Sequence, residues 1–381
     1  MEEESNYPQN TSPVRQGHEL DKAALEAYLK ENVGGIQVPI QIRQFKHGQS
    51  NPTFFIVDSS GKKYVLRKKP PGAIISKTAH AVEREYRIIK ALGPTDVPVP
   101  KAYCLCEDSA VIGTPFYIME FLEGRIFTDT TLSSLPREER AAYWNATVDV
   151  LAKLHRQDYQ ALGLGDYGRP SGFYERQLRS LGKVSALQAQ VKKEDGSTVG
   201  EIPGLQEMFE WFKRNMVKDE VSIVHGDFKL DNIVFHLTEP RVIGVLDWEL
   251  STIGHPLSDL ANHCIHYYMP YLEGAAIVGL KGYPHPLYVP TVEEVLARYC
   301  SQVRRPYPIS RWEFCVVFAF FRMCVITQGI AARVARKQAS SAMATSFGDV
   351  FVILAQLAHK IIEEKGELDD AATSAKEKSK L

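Results

Sequence analysis

Between Ile223 and Glu249 three short apolar runs, 223–227, 233–236 and 242–247, alternate with two polar loops. Runs of this length, rich in Ile and Val and bounded by polar residues, read as short buried strands. His225-Gly226-Asp227-Phe228-Lys229-Leu230-Asp231-Asn232 therefore forms a loop held by flanking β-structure, and Val245-Leu246-Asp247-Trp248-Glu249 ends a buried strand on a carboxylate. Whatever fold the chain adopts must fix two acids at the ends of adjacent strands.

The rest of the sequence sorts by period. Asp21 to Asn32 reads as a short amphipathic helix with Asp21 as N-cap. Residues 40–46, 53–58 and 63–68 are β-favouring, separated by loops around Gly48-Gln49-Ser50-Asn51 and Ser59-Ser60-Gly61, and predict an antiparallel meander. A helical run over 79–92 and strand-like runs over 102–107 and 115–121 follow, with Glu123-Gly124 as a hinge. From Arg137 onward helical patterns dominate, over 141–156, 205–215, 258–268, 292–302, 311–334 and 346–363, with Ser258 a candidate N-cap. The expected class is α+β, a bilobal protein-kinase-like fold. A small antiparallel β-rich N-lobe spans 19–123 and a larger, mostly helical C-lobe spans 124–365. Residues 1–18 and 366–381 are expected to be flexible, and 192–204 to be an exposed insertion.

Charge narrows the function classes. Lys plus Arg number 45 and Asp plus Glu 46, so no global basic excess points to nucleic acid, and an anionic ligand must be held by a local site. The six cysteines have no zinc-ligand spacing and read as reduced thiols. No uninterrupted apolar run approaches the roughly 18 residues of a membrane span. The acidic start Met1-Glu2-Glu3-Glu4 is wrong for a secretory or mitochondrial presequence, and a soluble intracellular protein is expected. Ser379-Lys380-Leu381 is the peroxisomal address, which predicts the peroxisomal import receptor as a partner and the matrix as the location.

Phosphoryl transfer to an alcohol needs a carboxylate to accept the hydroxyl proton and oxygen ligands for magnesium. Asp227 and Asn232 match the kinase catalytic loop H-R-D-x-x-x-x-N in kind and spacing, with Asp227 as catalytic base, Asn232 as metal ligand and His225 as the loop-stabilising histidine. Gly226 replaces the usual arginine, so control through activation-loop phosphate is not expected. Asp247, at the next strand end, stands where a second magnesium ligand is required; Trp248-Glu249 in place of Phe-Gly predicts a loop that does not flip. Singly, an Asp at a strand end is more often a turn former, and HGD alone is weak; the two motifs at this separation have no comparable structural explanation.

The first lobe would supply the nucleotide contacts. In Tyr64-Val65-Leu66-Arg67, Val65 and Arg67 share a face, which puts Arg67 where a lysine reaches the α- and β-phosphates; Lys68 or Lys69 takes the role if the register slips. On the following helix Glu85, on the face of Ile88, Ile89 and Leu92, is preferred to Glu83 as partner of that base. Gly48, Ser50 and Asn51 could cap the phosphates, although a plain hairpin turn would look the same. Tyr117 to Leu122 would line the adenine slot, with the backbone of Glu120 and Leu122 meeting the base edge. Asp259, after Gly254-His255-Pro256-Leu257-Ser258, is expected to bond the backbone of the 225–232 loop. The cofactors implied are ATP and Mg2+.

These residues resemble the aminoglycoside phosphotransferase and choline kinase superfamily from about Gln41 to Ile362. More narrowly, GQSNPTFFI, YVLRKKPPG, FYIMEFLEGRIF, HGDFKLDNIVFH and VIGVLDWELSTIGHPLSDLA resemble the amino-terminal kinase domain of acyl-CoA dehydrogenase family members ten and eleven. That resemblance implies a small-molecule kinase that phosphorylates the 4-hydroxyl of a hydroxyacyl-CoA for β-oxidation. It also implies a stand-alone version of the kinase domain, with a separate acyl-CoA dehydrogenase as partner. Lys68, Lys69, Lys229, Arg322 and Arg333 are candidate bases for the CoA phosphates, against the plainer reading of solvated surface charges. Two other readings stay open: an aminoglycoside- or choline-like hydroxyl kinase, and a nucleotide-binding pseudokinase scaffold for fatty-acid enzymes.

Overall fold

A computed structural model describes residues 7–8, 10–46, 51–70, 81–272, 278–337 and 350–366. Gly48, Ser50 and the Ser379-Lys380-Leu381 address lie outside the described residues. In chain order the first elements are β1 (Thr11–Ser12), α1 (Lys22–Asn32), β2 (Gln41–Phe45), β3 (Thr53–Val57), β4 (Lys63–Lys68), α2 (Val82–Leu92), β5 (Ala102–Cys106), α3 (Ser109–Ile112) and β6 (Phe116–Glu120). Next come α4 (Arg137–His155), α5 (Phe173–Ala189), α6 (Leu205–Arg214), β7 (Ser222–Val224), β8 (Ile233–Phe235), β9 (Val242–Val245) and β10 (Thr252–Gly254). The last are α7 (Leu257–Cys264), α8 (Val292–Val303), α9 (Trp312–Ala335) and α10 (Val350–Lys365).

These elements fall into two compact units. One comprises residues 1–125 and 233–251, the other 126–232 and 252–381. The first unit therefore takes in β8 and β9, which sequence order assigned to the helical lobe. The reason is local pairing: Arg125 and Phe235 exchange backbone hydrogen bonds of 2.8 Å each, and Gly124 lies so close that an added Cβ would stand 2.3 Å from the Phe235 carbonyl. Only glycine fits there.

The first unit carries a six-stranded antiparallel sheet in the order β1-β2-β3-β4-β6-β5. β1 corrects the expectation of a loose segment up to residue 18, because Thr11 pairs with Phe45 and the Arg15 amide donates to Gln44 Oε1 at 3.0 Å. In α1 the Asp21 carboxylate caps the Ala24 amide at 3.0 Å, and Leu25 and Leu29, one turn apart, enter the core. That core also contains Phe54, Ile56, Tyr64, Leu66 and Phe116.

The second unit is mainly helical. At its centre α9 buries Phe314, Val316, Phe318 and Phe321, and Phe314 and Phe318 pack edge-on against Tyr174 of α5. Helix α5 was not foreseen, since its charged residues interrupt the apolar period. By length and apolarity α9 could cross a membrane, but 78% of its most apolar stretch is buried, as in a core helix. Residues 192–204 are mostly exposed, as expected, with Lys192 bridging Thr198 and with Val199 and Ile202 buried. The α7 N-cap is Pro256, and the Ser258 hydroxyl donates to the His255 carbonyl at 2.8 Å.

Candidate active site

In the first unit β4 alternates its side chains, so Tyr64, Leu66 and Lys68 face the α1 core while Val65 and Arg67 face the other way. Lys68 is buried, its Nζ 3.5 Å from the Ile112 carbonyl, and burial lowers its pKa. Lys69 turns to Glu83 at 2.9 Å. Arg67 is thus the base that enters the polar cluster, which resolves the register alternative.

Arg67 meets three carboxylates. Its Nε lies 3.3 Å from Glu85 Oε2, close enough to pair but off the hydrogen-bond line, while Nη2 donates to Asp247 Oδ1 at 2.7 Å and Glu249 Oε2 at 3.3 Å. Glu85 is fully buried within the apolar stripe of α2, as its helical phase requires. It accepts from Asn51 Nδ2 at 2.9 Å and from the Tyr117 hydroxyl at 3.0 Å. Burial pushes the Glu85 carboxyl up to about 7, against the pull of Arg67. Asn51, named above as a candidate phosphate cap, gives its side-chain amide to this glutamate. Glu249 was not anticipated in the cluster; it lies two residues past Asp247 and only the local turn brings it there.

That turn is tightly fixed. Asp247 has a left-handed backbone (φ 65°), a costly conformation for a non-glycine residue. It is followed by the buried Trp248, whose indole donates to the Val245 carbonyl at 2.9 Å; the Ser251 hydroxyl donates back to the Trp248 carbonyl at 2.6 Å. At the end of β6, the Glu120 amide donates to the Lys101 carbonyl at 2.9 Å, so that N–H is not available to a base edge. Leu122 lies across β9, where a Cβ on Gly244 would stand 2.0 Å from its Cδ1.

In the second unit the 225–232 loop folds around Asp227. Its amide donates to His225 Nδ1 at 3.1 Å, and Asn232 Nδ2 donates to the Asp227 carbonyl at 2.9 Å and to Oδ2 at 3.2 Å. Lys229 Nζ pairs with Asp227 Oδ2 at 3.3 Å and with Asp231 at 3.2 Å. From α7, Asp259 accepts from the amides of His225 (2.6 Å) and Gly226 (2.9 Å), and Asn262 Nδ2 donates to the Phe228 carbonyl at 3.1 Å. Burial would raise the Asp259 carboxyl, but His155 and these amides hold it below its usual range. His155 Nε2 lies 3.4 Å from the same carboxylate, and Arg322 of α9 donates to the Gly226 carbonyl. No sequence signal marked His155, Asn262 or Arg322 as neighbours of this loop.

Hard oxygen donors suit magnesium. Asn232 uses its amide nitrogen within the loop and keeps its side-chain carbonyl oxygen out of those bonds, and Asp247 offers a partly exposed carboxylate. Among the described residues no three His, Cys, Asp or Glu side chains form a metal cluster. Of the bases considered for CoA phosphates, only Arg333 is exposed without an ion pair among the described residues; the other four are engaged as above.

A family model described as "Phosphotransferase enzyme family" matches residues 41–290. Human acyl-CoA dehydrogenase family member 11 is 39% identical over 345 residues, 89% of this chain and 43% of that protein. The chain spans less than half the length of the acyl-CoA dehydrogenase relatives it matches. Among solved structures, a Ralstonia eutropha protein classed with the aminoglycoside phosphotransferases superposes with a TM-score of 0.80 at 38% identity, covering 92% of this chain and 100% of that one. ADP-bound aminoglycoside phosphotransferase APH(2'')-Ib shares the fold at a TM-score of 0.55 and 16% identity, covering 89% and 99%.

Proposed function

The chain belongs to the phosphotransferase enzyme family, whose members move a phosphoryl group onto a hydroxyl, and from there we propose that it transfers the γ-phosphoryl group of ATP to the 4-hydroxyl of a hydroxyacyl-CoA. The observation that carries the reaction is the 225–232 loop: a carboxylate oriented by Asn232 and Lys229 in a segment whose His225, Gly226 and Asp227 amides are all bonded. The acyl-CoA class rests on the likeness to acyl-CoA dehydrogenase relatives. Delivery to the peroxisomal matrix through Ser379-Lys380-Leu381, and a separate dehydrogenase that consumes the product, belong to the same proposal.

Asp227 accepts the acceptor's proton as the new P–O bond forms and the bond from the γ-phosphorus to the β-phosphate oxygen breaks, giving ADP. Lys229, 3.3 Å from Asp227 Oδ2, helps to aim that carboxylate. Arg67, braced by Glu85, presents a planar fork to the phosphates and exchanges Asp247 and Glu249 for them. Asn232 and Asp247 would hold magnesium, which when bound offsets charge on the transferring group.

ADP release measured with a panel of 4-hydroxyacyl-CoAs, choline and aminoglycosides tests the reading. Stimulation by the hydroxyacyl-CoAs is expected. Stimulation by choline or aminoglycosides alone would transfer the chain to the other hydroxyl kinases, and ATP binding with no responsive acceptor would make it a scaffold.

A further inference from the structure

Resting on Asp227 as the base, we propose that Arg322 is a positioning residue for the reaction: it locks the peptide plane that carries Asp227 and so sets the direction of the carboxylate. Gly226 is the weak point of the loop. Its φ of 86° lies where only glycine is comfortable, and without a side chain its two flanking peptide planes can rotate unless something holds them.

Both planes are held, by different helices. The plane between His225 and Gly226 is tied through the Gly226 amide, which donates to Asp259 Oδ1 of α7 at 2.9 Å. The plane between Gly226 and Asp227 is tied at both ends: the Asp227 amide donates to His225 Nδ1 at 3.1 Å, and the Gly226 carbonyl accepts from Arg322 Nη2 of α9. Rotation of this second plane would swing the Asp227 Cα–Cβ bond, and Arg322 is its anchor from outside the loop.

The guanidinium does more than neutralise a carbonyl. Nη1 reaches Asn262 Oδ1 at 3.5 Å, and the Asn262 amide donates to the Phe228 carbonyl at 3.1 Å, so one planar fork braces the backbone on both sides of Asp227. Lysine has no second donor in a fixed plane. The stem rises from a rigid base, since Phe320 and Phe321 beside it are fully buried. Where the sequence lacks an arginine next to the catalytic aspartate, α9 brings one in from almost a hundred residues downstream, and its target is backbone.

The test compares the native protein with Arg322→Met, which keeps the aliphatic stem, and Arg322→Lys, which keeps the charge. Hydrogen exchange of a peptide covering 225–231 should speed up by about tenfold or more in the Met variant while the rest of the second unit is unchanged. With a responsive acceptor, kcat should fall by about 10- to 100-fold while the KM for ATP moves by less than about twofold. Methylguanidinium should restore part of the loss, and lysine should not restore the native rate. Native exchange with native kcat in the Met variant overturns the proposal, as does a loss confined to the acceptor KM. If the Met variant fails to fold, native exchange and kcat in folded Arg322→Lys overturn it as well. The exchange readout needs no acceptor, so absence of kinase activity in the native protein would sink the functional reading without deciding the role of Arg322 in the loop.

Discussion

Arg67→Met deletes the guanidinium facing Glu85 and keeps most of the aliphatic stem in β4. Asp247 and Glu249 lose a partner too, but both reach solvent and can hydrate, so their share of the cost is small. Glu85 cannot hydrate. Its carboxyl stands at about 7 in the folded protein, up from 4.5, because burial outweighs the pull of Arg67. A carboxyl raised by folding favours the native state at low pH, and that advantage is lost as pH climbs from 4.5 through 7. In the native protein the loss then stops, because the folded carboxyl ionises as well. In Arg67→Met the carboxyl rises further and keeps its proton, so the loss continues at about 1.4 kcal/mol per pH unit above neutrality. The variant's extra destabilisation should therefore be about 1 kcal/mol near pH 6 and grow by about 3 kcal/mol toward pH 9, within the ~3–5 kcal/mol expected for stranding a buried charge. Urea titrations of nucleotide-free protein across this range, followed by tryptophan fluorescence, measure the difference. Adding Glu85→Gln should abolish the slope. A pH-independent difference, or a slope that survives in the double variant, would refute the reasoning.

Other substitutions bear on single roles. Asp227→Asn should leave ATP affinity within about twofold and lower turnover by a factor on the order of 10² or more, measured by isothermal titration beside steady-state kinetics; full activity would remove Asp227 as base. Asp247→Asn should raise the magnesium concentration needed for half-maximal turnover by about tenfold or more, and an unchanged magnesium titration would contradict its role as ligand. Removal of Ser379-Lys380-Leu381 should release a fluorescent fusion into the cytosol with catalysis intact, whereas persistent puncta would point to another signal.

The parts of the fold legible in the sequence were those with local causes. Strand alternation separated Arg67 from Lys68, and helical phase put Glu85 on the apolar stripe of α2 and Glu83 off it. The spacing of His225, Asp227 and Asn232 marked the loop because its hydrogen bonds are made within a few residues. What stayed hidden depends on pairing at a distance. His155, Asn262 and Arg322 reach the loop from three helices, and nothing in their own neighbourhoods distinguishes them from ordinary helix residues. The side-chain bond from Asn51 to the buried Glu85 carboxylate was hidden for the same reason, since it joins two segments far apart in the chain.

The pairing of Arg125 with Phe235 means that the polypeptide passes between the two units three times, after residues 125, 232 and 251. A fragment ending at Arg125 would lack β8 and β9, leaving Leu122 and the Gly124 backbone without the surfaces they pack on, and would also lose the Asp247 and Glu249 partners of Arg67. Splitting the gene at the apparent hinge should give two insoluble halves; a fusion that joins residues 1–125 to 233–251 through a linker is the form in which the smaller unit can be studied alone.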